Sequence, residues 1–563
     1  MEAQMATVVA HNIISPLGFT SEMNYHAIKC GNSSLRLCEK AFGTSLSVTA
    51  SVFDEEMREQ LLVEGFTWFE SLVIHSVRKA IADIGMDVSG KEVCFVLSTT
   101  KANVESLDTI SDEQVLPGRT AEKIARYLGF VNEPLVVCNA CISGVSALIA
   151  ASRLIDAGFY RHVVVCGCDV LGKFIVSGFE SLKALSPDEC RPFDEERIGL
   201  NLGEAAATVV LSASKGKWHI CRGAVCNDAY HISTPSPKGI GSGMALAKVL
   251  GNEKEELAFI NLHGTATLYN DQMEWKALER SHLTDVPANA LKGYFGHTMG
   301  AAGVMECIIS MLSADDGVIL GTRGFHASGV SGVINMSSHN RSSDKDAFVK
   351  LISGFGGCNA AVFFTGKAEE DNRVLHLPDY TTISKVILSS QEIWINENRL
   401  PMVERGKNLI VELYKRSMGD YPRFYKMDGL SRLGLVAAEL LFQSVPDFDS
   451  YEQTAIVLFN HSSSLCADKK YLASISGENN FFPSPSAFVY TLPNIVNGEI
   501  ALRHGMHSET LFYILPERDE KMMGQLVSST LADENLSYCL TGWLEYMGDD
   551  DFVADIRLIK KVN

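Results

Sequence analysis

One cysteine of the chain lies where a buried strand is expected to meet a helix. In PLVVCNACISGVSALIAASRLI a β-branched run passes into a stretch of small residues, which places Cys141 at or near the N-terminus of a helix. Unpaired backbone N–H groups at such a position favour a thiolate and bind oxyanions, so we expect a lowered pKa for this thiol. These features suit a nucleophile, although a lone cysteine in an α/β protein is more often a buried core residue.

Two close pairs of cysteines allow a different chemistry. Cys138 and Cys141 form a CxxC motif, and Cys166 and Cys168 form a CxC motif, and such motifs occur in redox and zinc sites. The residues before Cys138 have the pattern of a buried strand, and the histidines of a mixed zinc site are absent nearby. A nucleophilic Cys141 is therefore favoured, while the redox and zinc hypotheses stay open.

Two histidines and one glycine-rich turn could complete such a site. His263 occurs in NLHGTATLYND and His297 in LKGYFGHTMGAAGVMEC, each just past an expected strand. Active sites of α/β proteins form at the carboxyl edge of the sheet, although a single histidine there is more often a structural hydrogen-bonding residue. The segment GFGGCNA, residues 354–360, predicts a tight turn whose backbone N–H groups face a ligand.

A regular alternation of strands and helices is expected to position these residues. Up to about Gly366, runs such as VCFVLSTT, HVVVCGCDV, VILGT and AAVFFTG alternate with helical patterns, which predicts a mostly parallel α/β fold. The charged segment KAEEDNRVLHLPDY resembles a linker. We therefore predict one domain over residues 1–366, a linker over 367–380 and a second domain over 381–563.

The second domain repeats patterns of the first. NGEIALRHGMHSETLFY resembles AEKIARYLGFVNEPLVV, TAIVLFNHSSSLCADKK resembles EVCFVLSTTKANVESLD, and a helix with a buried strand follows in both. Three matches in one order predict a partial duplication, with no counterpart of residues from about 175 to 366. The position of Cys141 falls at about Glu517, and both histidine motifs are missing. The repeat should therefore be catalytically inactive, with its apolar surface covered by the first domain.

Composition limits the class of protein. A formal net charge of −19 over 563 residues argues against a nucleic-acid partner. Apolar runs stop short of the roughly 20 residues that span a bilayer, and the N-terminus lacks the pattern of a secretion signal. Fourteen cysteines are too few for a disulfide scaffold of this length. We expect a cytoplasmic protein without a membrane partner.

Five motifs together resemble those of one enzyme family. ACISG, CRPFDEERIGLNLGEAA, HGTATLYND, LKGYFGHTMGAAG and GFGGCNA occur over residues 1–366 in the order found in elongating β-ketoacyl-acyl carrier protein synthases of the thiolase-like superfamily. A small departure is GEAAA where the family usually has GEGA. The resemblance implies a layered αβαβα fold, with the second domain as a degenerate half-ketosynthase.

The resemblance also implies an activity and partners. The reaction would be a decarboxylative condensation of an acyl thioester with malonyl-acyl carrier protein, in fatty acid or polyketide biosynthesis, with no metal or organic cofactor. A homodimer would pair through the strand HVVVCGCDV, unless the second domain occupied the pairing edge with its strand LSYCLTGWL.

Roles for individual residues follow from the same resemblance. Cys141 corresponds to the nucleophile that accepts the acyl chain, and His263 and His297 correspond to the pair that hydrogen-bonds the malonyl thioester carbonyl. Lys292 and Glu306 correspond to a charged pair that supports the second histidine, although an ordinary ion pair is almost as good an interpretation.

The glycine-rich loop has a role of its own in the family. Phe355 corresponds to the gating aromatic residue, beside Gly356, and the backbone N–H groups of Phe355 and Cys141 would form the oxyanion hole.

Three related activities fit the motifs less well. A thiolase needs a second cysteine as base in its final glycine loop, whereas Cys358 follows the glycines of GFGGCNA. An initiating synthase has an asparagine where this chain has His297, and an inactive chain-length factor would lack Cys141. A scaffold or partner-binding role stays open for the second domain.

Overall fold

The computed structural model describes residues 5–44, 46–251, 253–367, 375–402, 404–476 and 483–562, with strands and helices alternating along the chain. The strands are β1 (Thr7–Ile14), β2 (Leu35–Cys38), β3 (Val48–Ser51), β4 (Val93–Ser98), β5 (Leu135–Val137), β6 (His162–Asp169), β7 (Leu202–Gly203), β8 (Ala205–Ser212), β9 (Trp218–Asn227), β10 (Leu257–Asn261), β11 (Ala288–Asn289), β12 (Val318–Ile319), β13 (Arg341–Ser342), β14 (Ala347–Gly354), β15 (Cys358–Thr365), β16 (Asp379–Ser389), β17 (Ile393–Ile395), β18 (Asn398–Leu400), β19 (Thr454–Asn460), β20 (Thr510–Ile514), β21 (Tyr538–Gly548) and β22 (Asp551–Val562). The helices are α1 (Ser21–Lys29), α2 (Glu55–Leu61), α3 (Trp68–Asp83), α4 (Asp112–Val115), α5 (Pro117–Leu128), α6 (Ser143–Asp156), α7 (Lys173–Ser181), α8 (Ile240–Leu250), α9 (Leu268–Arg280), α10 (Lys292–Phe295), α11 (Ala302–Asp315), α12 (Gly406–Ser417), α13 (Gly429–Gln443), α14 (Leu465–Ile475), α15 (Pro485–Val489), α16 (Ile495–His504) and α17 (Glu520–Leu531).

Two mixed sheets form the N-terminal part of the molecule. In the first, the order is β5-β4-β6-β8-β1, with β4 parallel to β5 and β6 and with β8 antiparallel to β6 and β1. In the second, the order is β9-β15-β14-β10-β11, with β10 parallel to β14 and β11 and with β15 antiparallel to β14 and β9. The predicted "mostly parallel" arrangement is therefore only half right, and VILGT contributes only β12, in a separate ribbon with β13.

Helices cover both faces of each sheet. α6 contacts β4 and β6 of the first sheet and β9 and β15 of the second, and α11 contacts β8 and β14, so these two helices form the central layer. Almost every residue of α6 and α11 is buried, as expected for helices that are apolar on all sides. α3 covers the outer face of the first sheet, and α8, with α9 packed on it, covers the second. The layers run αβαβα, which confirms the predicted fold class.

The C-terminal part repeats the first sheet. Its strand order is β20-β19-β21-β22-β16, with β19 parallel to β20 and β21 and with β22 antiparallel to β21 and β16. This order and these directions match β5-β4-β6-β8-β1. β22 takes the place of β8. The prediction that residues from about 175 to 366 have no counterpart is therefore wrong for this one strand. β16 begins at Asp379, inside the predicted linker, of which residues 368–374 lie outside the described part.

A carboxylate at matching positions supports this correspondence. Asp169, at the end of β6, accepts hydrogen bonds from the backbone N–H and the hydroxyl of Thr100, at 3.0 and 2.9 Å. Glu545, in β21, accepts from the backbone N–H groups of His461 and Ser462, at 2.9 and 3.1 Å. In the N-terminal part an acid of β6 therefore holds the loop after β4, and in the C-terminal part an acid of β21 holds the loop after β19.

The two parts join into one continuous sheet. β5 pairs antiparallel with β20, with Tyr513 opposite Val137 and Ile514 opposite Val136. The predicted pairing through HVVVCGCDV is wrong, because that strand is β6 and lies between β4 and β8 inside its sheet. The second domain does occupy the pairing edge, although with β20 rather than with LSYCLTGWL, which is β21. A homodimer through this edge is therefore excluded, and a homodimer through another surface stays a prediction.

Side chains and apolar cores also cross the junction. Arg153 of α6 donates two hydrogen bonds to the Glu509 carboxylate, at 2.6 and 2.9 Å, and Lys101 forms a buried ion pair with Asp468. One apolar core combines α3 and β4 with α13 and β20, and another combines α6 with α17 and β21. The described residues of the C-terminal part thus form no separate core, in keeping with its predicted dependence on the first domain. Among the described residues, no helix has the length and apolar character of a membrane span.

Candidate active site

Cys141 lies in the short turn between β5 and α6. The turn is a 3₁₀ segment, Ala140–Ile142, in which Ala140 has a positive φ of 49°. The Ser143 hydroxyl, at the first residue of α6, accepts a hydrogen bond from the Asn139 N–H at 2.8 Å and holds the turn. The structure therefore places Cys141 at the helix start, as the sequence predicts, with 9% of its surface exposed.

Burial decides the protonation state of this thiol. Removal from water raises the pKa of Cys141 to about 12, and the nearby Lys292 cation offsets only part of that rise. The expected lowering of the pKa is wrong, because desolvation outweighs the Lys292 charge and the backbone N–H of Cys141. The resting group is a thiol, so a nucleophilic role would need a base to take its proton.

Two histidines lie close to Cys141. The sulfur of Cys141 and ring nitrogens of His263 and His297 all lie within 4.8 Å of one another, and the two rings are edge to face with centroids 5.1 Å apart. His263 follows β10 directly, whereas α10 separates His297 from β11, so the second histidine does not sit just past a strand as expected.

Both imidazoles are neutral. Burial, and then the Lys292 charge, holds the pKa of His263 and of His297 well below 6.5. His297 Nδ1 accepts a hydrogen bond from the Met299 N–H at 3.4 Å, which leaves the proton on Nε2. Among the described residues, that buried Nε2 has no hydrogen-bond partner, so it is a donor available to a ligand.

The same three side chains could also hold a metal ion. A thiolate and two neutral imidazoles are ligands that Zn²⁺ prefers, and their donor atoms lie close enough together. The predicted absence of a metal therefore stays a prediction.

A buried charge cluster lies behind the histidines. Lys292 Nζ donates to Glu306 at 2.7 Å and to the backbone carbonyl of His263 at 2.6 Å. The pair thus contacts the first histidine, whereas its support of the second histidine stays a prediction. Sequence reasoning missed Lys350 of β14, which binds the other oxygen of Glu306 and, at 3.1 Å, the Leu262 carbonyl. A lysine inside the apolar run AFVKLIS was the available signal.

Glu274 of α9 completes the support of the His263 loop. Its carboxylate accepts the backbone N–H groups of His263 and Gly264, at 2.6 and 2.8 Å, and the Asn270 side-chain amide at 2.8 Å. Desolvation raises the pKa of Glu274 to about 7. This carboxylate was also not predicted, although its spacing of four residues from Asn270 places both on one helix face.

The glycine loop between β14 and β15 approaches the nucleophile closely. A Cβ atom on Gly354 would lie 3.2 Å from the Cys141 backbone nitrogen. Gly356 has a φ of 93°, and its N–H donates to the Ile232 carbonyl at 2.6 Å, so it is not free to bind an oxyanion and serves the turn instead. Phe355 is half-buried, and its ring lies 6.4 Å from that of Phe179.

One cavity connects these groups to the surface. It has a volume of about 440 Å³ and is lined by Cys141, His263, His297 and Phe355. Two further lining residues, Leu268 and Tyr269, are 59% and 77% exposed. A long thioester substrate could therefore reach the sulfur from solvent. The site residues inferred from the sequence all meet here or directly behind it.

Two family models match the N-terminal part. Residues 70–215 match "Beta-ketoacyl synthase, N-terminal domain" and residues 219–326 match "Beta-ketoacyl synthase, C-terminal domain". Nodulation protein E of Rhizobium leguminosarum bv. trifolii is 28% identical over 263 residues, which are 44% of this chain and 65% of that protein. The 3-oxoacyl-[acyl-carrier-protein] synthase 2 of Vibrio harveyi is 24% identical over 66% of this chain and all of that protein.

A solved structure matches nearly the whole fold. "PfaC Keto synthase-Chain length factor" superposes with a TM-score of 0.80 at 13% identity and covers 99% of this chain and 78% of its own. That likeness extends over both halves of the joined sheet described above. This likeness shows a shared fold, and the two matched models show that residues 70–215 and 219–326 are similar to the two domains of β-ketoacyl synthases.

Proposed function

We propose that this chain is a β-ketoacyl synthase that condenses an acyl thioester with malonyl-acyl carrier protein, in fatty acid or polyketide biosynthesis. The observation that carries the proposal is the buried triad of one thiol and two neutral imidazoles within 4.8 Å of one another. The relative named 3-oxoacyl-[acyl-carrier-protein] synthase 2 supports this class of reaction, which needs no cofactor.

The first step would transfer the acyl group to Cys141. The sulfur attacks the thioester carbonyl, its proton passes to a neighbouring imidazole, and the carrier thiol leaves with a proton. The backbone N–H groups of Cys141 and Phe355 would bind the oxyanion. A thiol with a pKa near 12 in the empty site gains nucleophilicity only as its proton moves, so proton transfer and attack are linked.

The second step would use the histidines as donors. The malonyl thioester loses carbon dioxide, and the electrons of the broken bond form an enolate whose oxygen accepts hydrogen bonds from His263 and His297. The enolate carbon attacks the Cys141 thioester, and the sulfur leaves as a thiolate that takes up a proton from solvent water. Neutral imidazoles suit this task because they can donate without competing to bind the malonyl carboxylate as cations would.

We further propose that residues 1–366 form the catalytic domain and residues 381–563 act as a chain-length-factor-like partner within the same polypeptide. The C-terminal part has the pairing strand but an exposed Glu517 near the position of the nucleophile. Acyl carrier protein would be the external partner. A cytoplasmic location belongs to the same proposal, because a thiol nucleophile needs a reducing compartment.

The test is intact-protein mass spectrometry after incubation with a panel of acyl-acyl carrier proteins. We expect one acyl group on Cys141. His297→Ala should keep this acylation, because His263 remains to take the thiol proton, but should lower malonyl decarboxylation by about 10²–10³. His263→Ala should lower decarboxylation by a similar factor and slow acylation by a smaller one, because the thiol then loses that base. An equal loss of both half-reactions would contradict the assigned roles, and an unmodified protein with every acyl donor would refute the function.

A further inference from the structure

The loop that carries the gate and the oxyanion donor is held by a side chain of the C-terminal part. Asn494, immediately before α16, is 3% exposed, and its Nδ2 donates to the Phe355 backbone carbonyl at 2.9 Å. The same nitrogen lies 3.8 Å from the Cys358 sulfur, and Cys358 itself donates to the Phe355 carbonyl at 3.1 Å. The Asn494 side chain therefore reaches across the junction of the two parts to the peptide next to the nucleophile.

Backbone packing shows that this contact is closely fitted. A Cβ atom on Gly498 of α16 would lie 2.6 Å from the Gly356 carbonyl oxygen, and one on Gly356 would lie 2.7 Å from Asn494 Nδ2. The loop is anchored on its other side by the Asn227 amide, which donates to the Gly356 carbonyl at 2.9 Å. The first domain thus holds one peptide of the loop, and the C-terminal part holds the one that contains the Phe355 carbonyl.

We infer that Asn494 is a positioning residue of the ketosynthase reaction, and this inference rests on the proposed function. Its hydrogen bond fixes the chain at Phe355 and so sets both the gate ring and the Phe355 N–H relative to Cys141. An oxyanion donor acts only when it is held in place before the reaction, and small displacements are costly to the rate. The C-terminal part therefore contributes to acyl transfer itself.

Asn497 supplies a matched control. It lies on α16, is 1% exposed, and donates through its Nδ2 to the Leu511 carbonyl of β20 at 2.8 Å. Its hydrogen bond stays inside the C-terminal part and does not reach the loop. Asn494→Leu and Asn497→Leu thus each remove one buried amide of similar surroundings, and only the first removes the contact to Phe355.

The experiment measures single-turnover acylation of Cys141 in the full chain at saturating acyl-acyl carrier protein, together with malonyl decarboxylation and the melting temperature. We expect Asn494→Leu to slow acylation by about 10- to 100-fold with little change in decarboxylation, and Asn497→Leu to slow it by no more than about twofold. The two melting temperatures should fall by similar amounts.

Equal slowing of acylation by both variants would overturn the inference, because a general loss of packing would explain it. If either leucine variant is insoluble, Asn494→Ser and Asn497→Ser give the same comparison with a smaller change in volume. Failure of the unaltered chain to become acylated would overturn the proposed function as well. If the unaltered chain and Asn494→Leu are acylated at the same rate, the positioning role is overturned while the proposed function stands.

Discussion

The reactivity of Cys141 depends on an environment that its sequence motif does not determine. The strand-to-helix position gives the sulfur nearby N–H groups, but burial raises its pKa to about 12, and the two imidazoles supply the acceptor for its proton. Cys141→Ser should lower acyl transfer by about 10³-fold or more, because an alcohol gives up its proton less readily than a thiol and is a much weaker nucleophile. Acyl adducts are counted by intact mass.

Cys138→Ser is the control for that substitution. Cys138 is also buried and lies three residues away, but its sulfur donates to the Thr100 carbonyl instead of facing the cavity. It should acylate at close to the unaltered rate. An adduct that maps to Cys138 or to Cys358 would show that the nucleophile has been misassigned.

The pH dependence should reflect the depressed pKa of both histidines. Because burial and Lys292 hold these values well below 6.5, the rings stay neutral as pH falls through 6.5, and malonyl decarboxylation should not decline there. The unfolded chain takes up protons at about pH 6.5 while the folded rings do not, so folding stability falls as pH drops below 6.5. Rates of malonyl decarboxylation measured between pH 5 and 8 test the first expectation, and the melting temperature over the same range tests the second.

Lys350→Met provides the comparison. The Lys350 charge lowers the pKa of both imidazoles, so its removal should raise both pKa values. The pH below which the rate of malonyl decarboxylation falls should therefore be higher in this variant. A rate that already halves near pH 6.5 in the unaltered enzyme would contradict the neutral-imidazole assignment.

At the scale of elements, the sequence predicts the strands, helices and turns that continuous runs of residues form, but not which strand lies at the edge of a sheet and pairs across it. The order of β4, β5 and β6, the helix after Cys141 and the two histidine turns follow from runs of residues. The edge strand that pairs with the C-terminal part could not be predicted in this way. β5 has only three residues, whereas β6 has eight and is the more evident strand in the sequence. Lys350 was missed for a similar reason, since its partner Glu306 comes from a distant segment. Glu274 was missed although its partners His263 and Asn270 lie close to it in sequence.

The ion pair between α6 and β20 links the nucleophile helix to the C-terminal part. Glu509→Gln would leave the largely buried Arg153 without its counter-charge, and breaking such a pair costs about 3–5 kcal/mol. Replacing both residues, as Arg153→Met with Glu509→Leu, should restore most of that loss, because no charge is then left unpaired. Chemical denaturation of the two variants and of the unaltered chain measures the difference. A single variant as stable as the unaltered chain would show that water solvates Arg153.

At the scale of the whole molecule, the joined sheet makes the two parts one folding unit. Truncation after Gly366 would expose the β5 edge, the face of α6 that packs against α17 and the apolar core to which α13 contributes. Unpaired edges and large apolar surfaces promote aggregation. We therefore expect residues 1–366 alone to be insoluble or to elute as aggregates in size-exclusion chromatography.

Co-expression of residues 1–366 and 379–563 as separate chains distinguishes a missing partner from a missing covalent link. The two fragments should associate, because the β5–β20 pairing, the Arg153–Glu509 ion pair and the shared cores do not need the connecting segment. Acylation of Cys141 should return with them. If residues 1–366 alone are monodisperse and acylate at the full rate, the C-terminal part is a separate module, and neither the shared core nor Asn494 contributes to the reaction.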